Sequence, residues 1–224
     1  FNGSFLKLDP VRGEVYSVNR DSVSVFNDKG MEIFRIDTDS SIGSIIDVVV
    51  TSDQKLILLA NKNSVVRLLL CNYRGELIDE ISLKGLQPGF KALNPNRIYN
   101  RDKQLYLLSK NQMRVVVTDE QGLFIRDIDL SAALGLTESE RANSGMGGFA
   151  LDRDGGFVFT DAVTGKLYTL SADGKTGRIF GRRGSRPGQF SVPGGVAVDL
   201  DGNYLVVDKL RCTVAVFDRN FVFL

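Results

Sequence analysis

The feature that most constrains this chain is a unit of four short apolar strands that recurs along it. In the clearest copy, which starts at Gly194, strands are predicted at Val196–Asp199, Tyr204–Val207, Thr213–Phe217 and Phe221–Leu224. Turns rich in Asp, Asn and Gly separate them, because these residues tolerate tight or left-handed backbone. The third strands of the five copies end 45 to 52 residues apart, at Phe26, Cys71, Thr118, Leu170 and Phe217.

A period in the forties with four strands per unit is typical of a β-propeller blade. A sandwich or an up-and-down barrel would lack the repeating four-strand unit. The sequence therefore predicts an all-β fold, a propeller of four-stranded antiparallel blades in one domain over residues 1–224. The blades are expected at about 3–37, 45–83, 92–130, 148–180 and 194–224.

The longest interval between third strands contains a polar insertion at Leu130–Gly147. Thr137 and Glu140 within it have the spacing of a capping box, in which each residue satisfies a backbone N–H near the other. The insertion is thus either a short helix or an ordered loop between blades.

One segment, Gly184–Asp218, resembles an NHL repeat. It has a Gly-x-x-Pro-Gly-Gln-Phe lead, a Pro-Gly-Gly-Val-Ala-Val-Asp inner strand, an Asp-Gly-Asn turn and a final Val-Phe-Asp. The fourth blade matches in part, through its Leu-Asp-Arg-Asp-Gly-Gly turn and Asp161, and the first three keep only the strand pattern. The chain is thus similar to the NHL-repeat β-propellers, and in particular to bacterial-type NHL repeat proteins.

The resemblance implies six blades, of which this chain holds five. Three interpretations stay open. The natural chain continues into a sixth blade, which is the one we favour; the ring closes with five; or a partner completes it. Bacterial NHL proteins are often exported, so the resemblance favours an extracytoplasmic (periplasmic or secreted) location, although the sequence itself does not identify the compartment.

The composition excludes most of the enzyme classes that are known among NHL-like propellers. The chain has no histidine, which excludes histidine-bound zinc and Ser-His or Cys-His nucleophile pairs. Two distant cysteines, Cys71 and Cys212, suit neither a metal site nor a disulfide framework, and we expect free thiols. Gluconolactonase-like propellers hold a divalent cation with Glu, Asn and Asp, and Asp47, Asn96 and Asn100 are the residues that such a site would use here. We interpret them instead as inner-strand and turn residues, and we expect no metal and no cofactor.

Acidic residues also concentrate in the turns. The Asp152–Gly155 and Asp199–Gly202 turns faintly resemble calcium loops but lack the glutamate that an EF-hand needs. Asp161 and Asp208 end second strands, where we expect them to bind backbone N–H groups rather than act as catalytic acids.

Propeller topology separates the charges of this near-neutral chain, whose formal net charge is +1. Strands alternate in direction, so loops between second and third strands share a face with the leads between blades. This face collects the predicted partner-binding residues Arg20, Lys62, Lys110, Lys166, Arg182, Arg183, Lys209 and Arg211, whereas the opposite face leans acidic.

The sequence therefore favours a non-enzymatic binding scaffold whose basic loop face takes a protein or another anionic macromolecule. Nucleic acid is a further candidate partner, because Arg182, Arg183 and Arg186 resemble a small RNA-binding patch. The alternative is a metal-dependent small-molecule hydrolase of the gluconolactonase-like kind. No uncharged apolar run approaches the roughly 20 residues of a membrane span.

Overall fold

The computed structural model describes residues 5–86 and 93–224. The strands of this part form five antiparallel sheets, and in each sheet consecutive strands are neighbours. Sheets 1 to 4 have four strands each and sheet 5 has three. The predicted blade starts at residues 3 and 92 lie outside the described residues.

Strand bounds follow the apolar runs of the sequence. Sheet 1 comprises β1 Phe5–Asp9, β2 Glu14–Val18, β3 Ser22–Phe26 and β4 Glu32–Asp37. Sheet 2 comprises β5 Ser44–Val50, β6 Leu56–Lys62, β7 Val65–Cys71 and β8 Leu77–Ile81. Sheet 3 comprises β9 Arg97–Arg101, β10 Gln104–Ser109, β11 Arg114–Asp119 and β12 Phe124–Asp129. Sheet 4 comprises β13 Met146–Leu151, β14 Phe157–Asp161, β15 Lys166–Leu170 and β16 Gly177–Phe180, and sheet 5 comprises β17 Pro193–Val198, β18 Tyr204–Asp208 and β19 Thr213–Phe217.

Polar side chains that bind their own turn explain why the strands reverse where they do. In sheet 2, Asn72 Oδ1 accepts the N–H groups of Arg74 and Glu76. In sheet 3, Asp119 Oδ1 accepts the N–H groups two and four residues later. Asp152 and Asp199 do the same between first and second strands, which confirms that these turns follow from turn chemistry.

The predicted fourth strand of sheet 5, Phe221–Leu224, is wrong as a strand. Only an isolated bridge between Phe217 and Phe223 and a hydrogen bond from Leu224 N to Val216 O continue the ladder. The turn extends through Phe221, whose φ is 67°, where four other copies of the repeat have glycine.

The insertion forms two short helices, α1 Leu130–Ala133 and α2 Glu138–Ala142. Thr137 caps α2 and forms the predicted capping box with Glu140, so the helix interpretation is confirmed. The sequence did not predict α1, which Asp129 caps by accepting the N–H groups of Ser131 and Ala132. Within the described residues, neither helix is long and apolar enough to cross a membrane.

The chain divides into two compact units. Unit 1 consists of the described residues up to Lys110 together with Val115–Asp127, and unit 2 consists of Asn111–Arg114 and Ile128–Leu224. In unit 1, one apolar cluster packs sheet 1 on sheet 2 and another packs sheet 2 on sheet 3. In unit 2, Val158 and Leu167 of sheet 4 pack against Tyr204, Val206 and Phe217 of sheet 5.

Candidate functional site

Unit 2 carries an exposed basic loop, the lead of residues 181–192 that joins sheet 4 to sheet 5. Arg182, Arg183 and Arg186 in it are exposed, as is Lys209 in the loop between β18 and β19. Among the described residues, none of these four cations forms an ion pair. They are therefore available to a partner.

Asp208 at the end of β18 holds this lead in place. Its carboxylate accepts hydrogen bonds from Ser191 N at 2.6 Å and Val192 N at 3.2 Å, and from Leu210 N and Arg211 N in its own loop. Burial alone would raise the pKa of Asp208, but the backbone N–H donors of Ser191 and Val192 hold it below its ordinary value. The predicted backbone-bonding role is thus confirmed, and Asp161 plays it in sheet 4 towards Gly145, Val163 and Thr164.

Arg211 differs from the other predicted partner-binding residues, because its guanidinium faces the protein. Nη1 donates to Gln189 O at 2.9 Å, Nε donates to Ser191 Oγ at 3.1 Å, and Nη2 donates to Gly184 O. The group also lies 3.6 Å from the Asp208 carboxylate. Arg211 therefore shapes the lead from beneath, and we exclude it from the binding set.

Lys166 lies at the start of β15 and is half-buried. The sequence predicted only basic neighbours for it, but an acidic residue lies nearby. The charge of Lys166 lowers the pKa of Glu140, after the larger effect of the hydrogen bonds from Thr137. Helix α2 thus brings an acidic group close to Lys166. Sequence reasoning missed this, although the two glutamates of the insertion, Glu138 and Glu140, were a visible signal.

The lead and the turn before Lys166 are nevertheless in contact. Gly165 has a φ of 72°, and a Cβ added to it would lie 2.8 Å from Arg183 N. Arg183 also forms a parallel bridge with Phe190. The backbone of the lead is therefore held on both sides, whereas its arginine side chains point outwards.

The cations predicted in unit 1 have mixed surroundings. Arg20 and Lys62 are exposed and Lys110 is half-buried. Lys62 lowers the pKa of Asp39, although hydrogen bonds from Ser41 and Ile42 contribute more. Acidic neighbours therefore offset the charge here, and no separate basic patch follows from these residues.

A groove of about 560 Å³ in unit 1 lies between the turn of Thr51–Lys55 and the turn at Glu120–Gln121. It is lined by acidic and basic side chains, some of which have partners. Lys55 Nζ is 2.7 Å from Asp53, and Glu120 accepts hydrogen bonds from Ser52 N, Ser52 Oγ and Asn100 Nδ2. The groove therefore presents charges of both signs rather than a site with one dominant charge.

The residues of the alternative metal site are engaged with protein groups. Asp47 is fully buried, its Oδ2 lies 3.2 Å from Lys7 Nζ and accepts the N–H of Ile98, and its Oδ1 accepts the N–H of Val48. Burial lowers the pKa of Lys7 and raises that of Asp47, and each partner's charge opposes the shift of the other. Lys7 Nζ also donates to Ile98 O at 2.6 Å and lies over the Tyr99 ring. A cation at Asp47 would have to displace Lys7, so these residues do not fit a metal.

The other two candidate ligands also contact protein groups. Asn96 Oδ1 accepts the Lys110 N–H at 3.3 Å, and Asn100 Nδ2 donates to Val50 O at 2.7 Å. Asn100 Oδ1 is buried and accepts no hydrogen bond within the described residues, so the fit to a metal fails at Asp47 rather than at Asn100. No group of three or more acidic or cysteine side chains with the geometry of a metal site occurs in the described residues. Cys71 is buried, Cys212 is exposed and both are free, as predicted.

Comparison with known proteins identifies the fold of this chain but shows no family for it. No protein-family model matches the chain, and no curated protein matches it. Among solved structures, it is similar to a catalytically inactive His-to-Ala variant of virginiamycin B lyase from Staphylococcus aureus, solved with quinupristin. The TM-score is 0.64 at 13% identity, covering 100% of this chain and 69% of that one.

The chain is also similar to two solved structures of other kinds of protein. One is to a nidogen/laminin complex, with a TM-score of 0.65, 16% identity and coverage of 96% of this chain and 75% of that one. The other is to the β-propeller domain of Cps50 (Swd1) from Myceliophteria thermophila, with a TM-score of 0.58, 12% identity and coverage of 97% and 65%. At these identities the likeness shows the fold alone, and the chain has the all-β fold of a β-propeller.

Proposed function

We propose that this chain is a non-enzymatic binding scaffold that takes an anionic partner, foremost an acidic protein surface, on the lead between sheets 4 and 5. One observation carries the proposal: Arg182, Arg183, Arg186 and Lys209 are exposed and form no ion pair among the described residues. Asp161 and Asp208, which end the second strands of sheets 4 and 5, are buried and accept backbone N–H groups. Unpaired cations on a rigid loop attract an anionic partner at low cost in ordering.

The composition of the chain supports a scaffold over an enzyme that depends on histidine. The virginiamycin B lyase to which it is similar is catalytically inactive as a His-to-Ala variant, and this chain contains no histidine. Similar propellers also include one in a complex of nidogen and laminin. We keep Lys166 of unit 2 as a secondary contributor, because Glu140 lies near it, whereas the unit 1 residues Arg20, Lys62 and Lys110 stay predictions outside the proposed site.

The NHL assignment and the six-bladed ring stay proposals as well. The NHL assignment rests on the lead and inner strand of Gly184–Asp218, and the contacts of Gln189 and Phe190 in the lead support it. Gln189 Oε1 accepts the Arg186 N–H at 3.2 Å, and Phe190 is fully buried beside Phe217. The motif residues thus build the loop that presents the arginines.

The test compares two charge-reversal variants. In the first, Arg182, Arg183 and Lys209 are replaced by Glu. In the matched control, Lys29, Lys84 and Lys175, all exposed, are replaced by Glu, so that net charge changes equally. Each change should alter stability by no more than about 0.5 kcal/mol, because exposed side chains contribute little to folding.

Retention on immobilised heparin, a general polyanion, is measured for both over a salt gradient. We expect the first variant to elute at clearly lower salt and the control to elute close to the wild type. Equal shifts in the two variants would show that only net charge matters and would contradict the proposed site.

A further inference from the structure

Two exposed aliphatic side chains lie in the loops that adjoin the basic lead of unit 2. Val163 in the loop between β14 and β15 is 51% exposed, and Leu210 in the loop between β18 and β19 is 72% exposed. They occupy equivalent positions of the repeat, because each lies two residues after the aspartate that ends the second strand and donates its backbone N–H to that carboxylate. The backbone therefore holds both residues in the same way.

Both loops contact the lead directly. A Cβ added to Gly165, in the first loop, would lie 2.8 Å from Arg183 N. From the second loop, Arg211 donates hydrogen bonds to the carbonyl oxygens of Gly184 and Gln189. Each of the two loops that touch the lead thus adds one aliphatic side chain to the surface that carries its exposed arginines.

Side chains of this surface are supported by the backbone beneath them. A Cβ added to Gly145 would lie 2.9 Å from Val163 Cγ2, so the valine packs on the Gly145 backbone. A Cβ added to Gly194 would lie 2.6 Å from Lys209 Cε, so the stem of this cation, next to Leu210 in sequence, lies along the chain. The surface therefore combines cations and aliphatic groups in a fixed arrangement.

The same loops of the other sheets differ in character. In sheets 1 to 3 the loops between second and third strands, residues 19–21, 63–64 and 110–113, consist of polar residues and the buried Met113. Scattered single hydrophobic residues on a surface need no explanation. Here, however, the aliphatic residues recur at one position of the repeat, in the two loops that adjoin the exposed cations.

We propose that the partner of this surface is an acidic protein segment that also carries aliphatic side chains. Its carboxylates meet the arginines of the lead, and its aliphatic groups pack on Val163 and Leu210. The inference rests on the proposed function and specifies the chemistry of the partner at the same site.

Other anionic partners match the cations but not the aliphatic groups. A polyanionic glycan has no aliphatic side chains to pack on them. Single-stranded nucleic acid gains its apolar contacts by stacking bases on aromatic rings, whereas residues 161–165 and 208–212 contain no aromatic residue. An anionic membrane is a poorer match than a protein, because Val163 packs on Gly145 and only about half of its surface is free to insert.

The test uses two fluorescein-labelled peptides of equal length and charge, one built of Glu-Glu-Leu repeats and the other of Glu-Glu-Ser repeats. Fluorescence anisotropy measures the affinity of each for the wild type. We expect the leucine peptide to bind about tenfold more tightly, because aliphatic groups on both partners leave water. Equal affinities, or no binding of either peptide, would overturn the proposal.

A double serine variant assigns this preference to the two loops. In Val163→Ser/Leu210→Ser, we expect the two peptides to bind equally. The matched control, Leu200→Ser/Val222→Ser, removes a leucine and a valine that are 87% and 57% exposed elsewhere in unit 2, and it should keep the tenfold preference. A preference that survives in the first variant, or that is lost equally in the control, would overturn the proposal.

Retention on heparin separates this inference from the proposed function, because heparin has charge but no aliphatic side chains. Val163→Ser/Leu210→Ser should elute at the salt concentration of the wild type, whereas charge reversal of the lead should lower it. If charge reversal lowers retention but the wild type does not prefer the leucine peptide, the proposed function stands and the partner chemistry proposed here is wrong. Binding to phosphatidylserine-containing vesicles that Val163→Ser/Leu210→Ser abolishes would make a membrane the partner, and it would overturn the proposal as well.

Discussion

At the scale of single residues, one buried acid and one arginine build the surface that we propose as the binding site. Asp208 gathers four backbone N–H groups from the lead and from its own loop, and Arg211 donates to two carbonyl oxygens and a hydroxyl of the same lead. Charged groups that satisfy backbone in this way form stronger hydrogen bonds than neutral pairs. The lead therefore presents Arg182, Arg183 and Arg186 from a backbone that Asp208 and Arg211 hold in place.

Arg211→Ala should destabilise the protein even though it removes a charge from a basic region. The carbonyl oxygens of Gly184 and Gln189 lose their donor, and we expect a loss of about 1–3 kcal/mol in the free energy of unfolding. Urea unfolding measures this, with Arg186→Ala as the control, since Arg186 is exposed and its substitution should cost almost nothing. Equal stability of the two variants would mean that Arg211 does not hold the lead.

Asp208 should also make stability depend on pH in the acid range. Its pKa is lowered in the folded state, so its contribution is present above the ordinary value of about 4 and is lost as pH falls through the folded pKa. We expect the unfolding free energy of the wild type to decline below about pH 4, and Asp208→Asn to show a shallower decline from a lower plateau. Parallel curves for the two proteins would assign the acid sensitivity to other carboxylates.

The contrast between Asp208 and Arg211 shows what the sequence can reveal about this site. An aspartate at a strand end has a short side chain, so its position alone predicts that it binds nearby backbone. An arginine at a loop tip reaches several ångströms in any direction, and neither period nor spacing tells whether it points to solvent or to Gln189. The glutamates of α2 were missed for a similar reason, because only the folded insertion brings Glu140 close to Lys166.

At the scale of elements, repetition made the strands predictable. Four turns between third and fourth strands begin with an Asn or Asp whose side-chain oxygen accepts the N–H groups two and four residues later. These residues are Asn27, Asn72, Asp119 and Asp218, and an Asn or Asp at this position is therefore the recurring sequence signal. In sheet 5 the corresponding turn residue is Phe221, whose left-handed φ is costly for a residue with a Cβ. Its ring lies 4.1 Å from Phe180 and stacks on Tyr204, and these contacts offset that cost.

An ion pair between Lys7 of β1 and Asp47 of β5 links the inner strands of sheets 1 and 2 in unit 1. Ile98 of β9 contacts both groups: its carbonyl oxygen accepts a hydrogen bond from Lys7, and its N–H donates to Asp47. Lys7→Met should lower the free energy of unfolding by about 3–5 kcal/mol, because it leaves a buried carboxylate without its partner charge. Adding Asp47→Asn to that variant should restore part of the loss, since no buried charge is left uncompensated. Urea unfolding of the two single variants and the double variant provides the measurement.

A double variant that is as unstable as the sum of its single variants would show that Lys7 and Asp47 act independently. A loss well below 1 kcal/mol for Lys7→Met would show that the pair is not buried enough to matter.

At the scale of the whole molecule, the propeller fold is compatible with both catalysis and binding, as its solved neighbours illustrate, so function has to be argued from sites. Lys7 and Asp47 of the inner strands are paired with each other, whereas the cations of the lead form no ion pair in the part of the chain that the structure describes. The net charge of +1 conceals this difference, because it sums groups that are paired with groups that are not.

This difference leads to a prediction about divalent cations. Calcium or magnesium bound by Asp47, Asn96 and Asn100 would stabilise the folded state by RT ln(1 + [L]/Kd), or about 2.7 kcal/mol at a hundredfold excess over Kd. Because Lys7 occupies the Asp47 carboxylate and Asn96 Oδ1 accepts the Lys110 N–H, we expect the thermal midpoint to be the same with either cation as with a chelator. Differential scanning calorimetry of the wild type and of Asp47→Asn makes the comparison. A midpoint that rises with calcium in the wild type but not in Asp47→Asn would reinstate the metal-dependent hydrolase, and an equal rise in both would place a cation elsewhere in the protein.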